Sequence, residues 1–318
     1  MAAPKCTDEE FIALWQRHGS ATRVAKVLGI GTRPVQTRRA ALQRRYGIVL
    51  TCADSRSPYK VAVPENKIRA QIDFPDGAFV VFSDAHYWPG YVTTAHRALV
   101  KLIPQIKPRL IVANGDLLDS ATNNRHDRIC WQNGPTVKQE LEEVATRLAD
   151  IKKASRGHCD QFIWTRGNHD ANFDTRLANE VPQYEGVPGM SLQDHFPEWR
   201  MCISLMLNNN VMIKHRWANG VHAVYNNTVK SGVSIFTGHL HSLKVTPWSD
   251  YNGTRYGVDT GTLADPDGPQ FTYVEDNPVN WRSGFAVGTM EDGVLMPPEL
   301  CQVLEEGKVF FRGKVFEV

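Results

Sequence analysis

Short runs of β-branched and aromatic residues recur along this chain, and each ends in a cluster of Asp, Asn or His. Phe79-Val80-Val81-Phe82 leads into Asp84-Ala85-His86, and Leu110-Ile111-Val112-Ala113 into Gly115-Asp116-Leu117-Leu118-Asp119. Phe162-Ile163-Trp164 leads into Gly167-Asn168-His169-Asp170. Val211-Met212-Ile213 precedes Lys214-His215, and Ser234-Ile235-Phe236 precedes Gly238-His239-Leu240-His241. Apolar runs this short read as buried strands. Stretches 92–105 and 137–153 between the first three read as helices, so the pattern predicts βαβ units in an α/β fold. The polar clusters then fall at the carboxyl edge of a sheet. Asp, Asn and His are poor choices for a core and good choices for holding a metal ion.

The five motifs, in this order, resemble the calcineurin-like metallophosphoesterase superfamily over roughly residues 78–265. The resemblance implies two packed sheets flanked by helices, with the site along one rim. It implies two divalent metal ions. Asp84, His86 and His241 would hold the first, Asn168, His215 and His239 the second, and Asp116 would bridge them. Ions of such a pair lie roughly 3.5–4 Å apart, which calls for a shared anion. Two divalent ions against two carboxylates leave a positive site, which would turn a bridging water into the hydroxide nucleophile and attract a phosphate ester. His169 would protonate the leaving oxygen as general acid, with Asp170 accepting its ring N–H. Asp119 would orient His86 or another ligand from behind. Nitrogen and oxygen donors suit Mn, Fe, Zn or Ni; Mn²⁺ is favoured by analogy with nucleases of the superfamily.

Charge is placed unevenly. The chain carries a net +2, yet residues 1–50 hold nine Lys/Arg against three Asp/Glu, a local +6 that leaves −4 on the rest. A basic head on a mildly acidic body predicts an anionic partner for the head. Residues 7–47 read as three helices stopped by Gly19, by Gly29-Ile30-Gly31 and by Gly47, with Thr7 or Asp8, Ser20 and Thr32 as caps. The segment resembles a helix-turn-helix, whose second helix would enter the DNA major groove. Arg33, Gln36, Thr37 and Arg39 would then reach bases or phosphates, and Arg38, Arg44 and Arg45 phosphates. The alternative is a helical cap that binds protein. The expected organisation is a helix-turn-helix domain over 1–50, a proline-punctuated linker over 51–76 and the metallophosphoesterase domain over 77–318.

Six scattered cysteines form no C-x-x-C pair, and neither a secretory leader nor a run of 18 apolar residues is found. A cytoplasmic protein without membrane contact is expected, in the host cytoplasm if phage-encoded. A helix-turn-helix joined to this catalytic domain is similar to phage and prophage proteins.

Departures from subfamily patterns narrow the substrate. Protein phosphatases of the superfamily carry Arg directly after the second Asp of the second motif; here Ser120 follows Asp119. His169 stands where lipid-A pathway pyrophosphatases usually have Arg. The expected function is therefore a phosphodiesterase acting on DNA, a nuclease or DNA-processing enzyme. Two alternatives stay open: a phosphomonoesterase or cyclic-nucleotide phosphodiesterase with a protein-binding head, and a DNA-binding regulator with an inactive metal domain. Tyr87, Trp88, Asn123, Arg125 and His126, just beyond motifs one and two, are candidates for the substrate groove.

Overall fold

The computed structural model describes residues 5–50, 68–123 and 134–318. It opens on three helices, α1 (Asp8–His18), α2 (Ala21–Leu28) and α3 (Thr32–Tyr46). Thr7 caps α1 in a reciprocal pair with Glu10, and Asp8, Glu9 and Glu10 fill its positive first turn. Ser20 occupies the cap of α2 without a side-chain bond, and α3 is capped by Gly31, one residue before the expected Thr32. Phe11, Trp15, Val24, Val35 and Leu42 form a small core of their own.

That core also claims one of the expected DNA contacts. Val35, Arg39 and Leu42 recur at i, i+4 and i+7, so Arg39 sits on the buried face of α3 at 3% exposure. Its guanidinium lies over the Trp15 ring, donates to the Leu50 carbonyl, and meets Asp76 at 2.6 Å. Arg38 lies over Phe11 and donates to Asp8 and the Cys6 carbonyl. The Gln36 amide stabilises the Asp292 carboxylate against the burial that raises its pKa. Arg39 is thus buried and paired, so the expectation that it contacts DNA is corrected; Gln36 and Arg38 remain half-buried. Arg33, Thr37, Arg44 and Arg45 are exposed.

The body begins inside the stretch expected as linker. Residues 51–67 lie outside the described residues, but β1 (Arg69–Ile72) joins a sheet, since Ala70 and Phe74 alternate inward past the prolines. Then come β2 (Gly77–Phe82), α4 (Thr94–Ile106), β3 (Leu110–Ala113), α5 (Val137–Ala154), β4 (Gln161–Thr165) and α6 (Asn168–Glu180). They are followed by α7 (Leu192–His195), β5 (Arg200–Cys202), β6 (Ser204–Leu207), β7 (Val211–Lys214), α8 (Ala223–Ser231) and β8 (Ser234–Thr237). The chain closes with β9 (Lys244–Asp250), β10 (Gly253–Asp259), β11 (Gly284–Glu291), β12 (Val294–Leu295), β13 (Glu299–Glu305), β14 (Lys308–Phe311) and β15 (Lys314–Glu317).

Two sheets result. One runs β1-β6-β7-β8-β10-β9; the other runs β15-β14-β13-β11-β2-β3-β4-β5, with β12 beside β11. Strands β2, β3, β4 and β5 are mutually parallel, as the alternation with α4 and α5 predicts. Strand periodicity builds both layers of core. Phe79, Val81, Leu110 and Val112 face the first sheet, where they join Leu205, Ile213 and Phe236. Val80, Phe82, Ile111 and Ala113 face the other way, onto Leu99 and Leu102 of α4 and Val144 and Leu148 of α5. Covered on both faces, β2, β3 and β4 are buried through their carboxyl halves, which leaves the strand ends for polar groups.

Candidate metal centre

The five motifs meet at one rim. Asp84 and His86 follow β2, Asp116 follows β3, Asn168 opens α6 after β4, His215 follows β7, and His239 and His241 follow β8. Left-handed backbone appears at Asp84, His86, Asp116, His239 and His241. Only a few per cent of non-glycine residues adopt it, and it turns consecutive side chains toward a common point. Close approach is needed too. A methyl group on Gly167 would collide with the Asp116 carboxylate, and one on Gly238 with that of Asp84.

Three sets of ligand atoms converge, each within 4.8 Å: Asp84, His86 and His241; Asp116, His215 and His239; and His86, Asp116 and His169. Asp84, His86, Asp116, His215 and His241 are all buried. Burial disfavours ionised carboxylates here, but His215 and His241 hold Asp84 below the ordinary carboxylate range, and His215 holds Asp116 well below it. Burial also opposes charge on His215, yet Asp116 and Asp84 push it up to about 10. Burial and the His215 charge lower His239.

Hydrogen bonds decide which ring nitrogens point inward. His215 Nδ1 donates to the Asn114 carbonyl at 2.8 Å, and His86 Nδ1 donates to Asp119 at 3.0 Å. Nε2 of each ring is thereby the inward nitrogen; the His215 Nε2 proton favoured by Asp116 and Asp84 is the one a bound cation would replace. His215 Nε2 lies 3.0 Å from Asp116 Oδ2, but out of line for a hydrogen bond. Without a cation that contact is an ion pair between the protonated ring and the carboxylate; a divalent ion would take the proton's place. Asn168 Oδ1 and His241 Nδ1 are likewise buried with no hydrogen-bond partner among the described residues. Orphaned acceptors, anionic oxygens and inward ring nitrogens are the donor set a divalent cation requires.

The roles expected of the neighbouring residues divide. Asp119 bonds to His86 as anticipated. His169 Nδ1 donates to the Asp119 carbonyl at 2.6 Å, while its backbone N–H donates to Asp116 Oδ1 at 2.8 Å. Burial opposes charge on His169, but Asp116 and the Asp119 carbonyl raise its affinity for a proton. Asp170 does not accept the His169 ring N–H. It turns back under the loop after β3, where Oδ2 accepts from the N–H groups of Asp116 and Gly167 and from the Trp164 indole. Oδ1 accepts from the N–H groups of Leu117 and Leu118. Burial and Asp116 raise the Asp170 pKa, but five donors with no lone pair to offer require the ionised form.

Among the groove candidates, Asn123 stands beside α6, donating to the Asn172 carbonyl. Tyr87 is corrected: it is buried at 3% exposure, with its hydroxyl 3.0 Å from His96 Nδ1. Its ring alternates into the α4 side of the core, the default for a large aromatic one residue from a strand's polar end. Trp88 is half-buried, and Arg125 and His126 lie outside the described residues.

Other contributors escape motif reading. Buried Glu140 on α5 accepts from the N–H groups of Ser120 and Ala121 and fixes the loop that carries Asp119. Phe271 packs against both His86 and His241, and Trp281 packs 4.6 Å from His241, walling one side of the centre. Arg216 directly follows His215 and lines a cavity beside the second cluster with Asn168 and His169. Its place next to a motif was the one available signal; the others come from distant segments.

Residues 77–262 match the calcineurin-like phosphoesterase family. Among solved structures the chain is similar to Yfce, a phosphoesterase from E. coli, at 16% identity and a TM-score of 0.33 over 70% of this chain and 97% of that one. It is also similar to a dimetal phosphatase from Danio rerio, at 11% identity and a TM-score of 0.37 over 72% and 96%. No curated protein matches the chain.

Proposed function

The chain belongs to the calcineurin-like phosphoesterase family, and on that premise we propose that it is a dinuclear-metal phosphodiester hydrolase that cleaves DNA. The observation that carries the reading is the pair of clusters, Asp84/His86/His241 and Asp116/His215/His239, brought together with Asn168 at one buried rim. Two divalent cations bound there would supply Lewis-acid charge and an acidified water as nucleophile.

The chain's own residues do the rest. Asp116 offers one oxygen toward His215 and uses the other to accept the His169 N–H, so its carboxylate is fixed in plane between the clusters. Asp119 and Asn114 hold Nδ1 of His86 and His215, so Nε2 of each ring faces inward, where a bound cation would take the place of a proton. His169, with Nδ1 committed to the Asp119 carbonyl, keeps Nε2 for a proton that it delivers to the leaving oxygen. Support for a diester comes from Ser120, whose hydroxyl donates to the His169 carbonyl at the position where protein phosphatases of the family carry Arg. On the head, Arg33, Thr37, Arg44 and Arg45 are the exposed residues of α3 proposed to meet DNA.

Hydrolysis of bis-p-nitrophenyl phosphate and p-nitrophenyl phosphate with Mn²⁺ tests the chemistry. Preference for the diester is expected; preference for the monoester would replace this reading with a phosphatase. The head is tested in the intact chain by Arg33→Ala with Arg44→Ala, since deletion would also remove the Arg39–Asp76 contact. Weaker DNA binding with a shallower salt dependence is expected, and an unchanged salt slope would sink the DNA role of the head.

A further inference from the structure

A groove of about 420 Å³ opens beside the second cluster, lined by the polar residues Asn123, Asn168, His169, Asn172, Arg176 and Arg216 among others. Three features define what it can take. It begins at His169, the proposed acid, and a leaving group must depart on the side from which its oxygen is protonated. Its floor is one face of α6, where Asn168, Asn172, Thr175 and Asn179 follow at helical spacing. Its walls carry two guanidinium groups and one carboxylate, that of Glu180. Among the described residues Arg216 has no ion pair, and Arg176 has only a loose contact of 3.7 Å with Glu180, both side chains being about 60% exposed. Such an exposed pair is worth little and yields readily to a phosphate.

The spacing adds a length requirement. Asn168 and Arg176 stand eight positions apart on the helix, a distance of roughly 12 Å along the axis. A small leaving group such as a nitrophenol or a single alcohol cannot span it. Resting on the diester reading above, we infer that this groove is the leaving-group subsite, and that Arg216 and Arg176 bind phosphates of a departing oligonucleotide strand. Arg216 holds the phosphate next to the scissile one, Arg176 holds one further along, and the asparagine amides face the sugars and base edges between them. The two arginines are specificity-determining residues for a polynucleotide.

The experiment compares kcat/KM on a single-stranded oligothymidylate of about eight residues with kcat/KM on bis-p-nitrophenyl phosphate. Wild type, Arg216→Ala, Arg176→Ala and the double variant are assayed with Mn²⁺. Each substitution should lower the ratio of the two values about tenfold, mostly through KM on the oligonucleotide. The salt slope of oligonucleotide cleavage should become shallower by ~0.7 per arginine removed. A ratio that stays at the wild-type value in the double variant overturns the subsite. Failure of the wild type to hydrolyse bis-p-nitrophenyl phosphate at all would instead overturn the diester reading beneath it, so the two failures are told apart by the wild-type control.

Discussion

Asp170 is where a change of one atom should have the largest measurable consequence. Its two oxygens accept from five donors: Asp116 N–H at 2.9 Å, Gly167 N–H at 3.0 Å and the Trp164 indole at 2.8 Å on one, Leu117 at 3.0 Å and Leu118 at 3.2 Å on the other. Asp170→Asn conserves shape but supplies one acceptor oxygen. Placed toward Asp116, Gly167 and Trp164, the amide presents its NH₂ to the Leu117 and Leu118 N–H groups, donor against donor. Two buried N–H groups left without acceptors cost about 1–3 kcal/mol each. The expected destabilisation is about 4 kcal/mol, roughly 10 °C in Tm for a domain of this size. Urea denaturation monitored by tryptophan fluorescence measures it, and calorimetric titration with Mn²⁺ should show weakened binding as the Asp116 loop loosens. A variant within about 1 kcal/mol of wild type, altered only in the pH profile of hydrolysis, would show that Asp170 serves the His169 ring after all.

Three further outcomes are expected. His169→Ala should retain Mn²⁺ and lose about 10²–10⁴-fold in rate, most with poorly leaving alcohols; loss of metal in calorimetry would make His169 a ligand, a role that its closeness to His86 and Asp116 also permits. Arg39→Ala should lower stability by about 2 kcal/mol by removing bonds to Leu50 and Asp76, the exposed side of Asp76 limiting the cost; unchanged urea midpoints would mean that the head is not held to the body through Arg39. Burial pushes Glu140 from 4.5 up to about 7, so the folded state binds the proton more tightly and stability falls as pH rises through that window. The difference in unfolding free energy between wild type and Glu140→Gln should decline from pH 4.5 to 7 and be level outside it; parallel curves would refute the assignment.

The convergence of the candidate metal ligands was legible because those residues are chemically out of place. Short apolar runs rich in β-branched and aromatic residues, such as Phe79–Phe82, read as buried strands, which puts Asp84 and His86 at a strand end, and a recurrence of such ends marks a rim. The three head helices were legible for a local reason as well, since Gly19, Gly29 and Gly47 adopt the left-handed stops that their positions suggest. Element type, order and the roster of polar strand ends are properties of neighbouring residues.

What tertiary structure alone decided is where ambiguous side chains turn. Asp170 stands one residue from His169, and adjacency suggested a partnership; a helix projects neighbours about 100° apart, and four unsatisfied N–H groups of other segments captured the carboxylate. Arg39 had the composition of a DNA contact, but its period along α3 matches Val35 and Leu42, and Asp76 and Asp292 waited across the interface. The groove at Arg176 and Arg216 joins residues 40 positions apart that share no motif. Periodicity tells which face of an element a residue occupies; only the folded chain supplies what covers that face, because the partners arrive from remote segments.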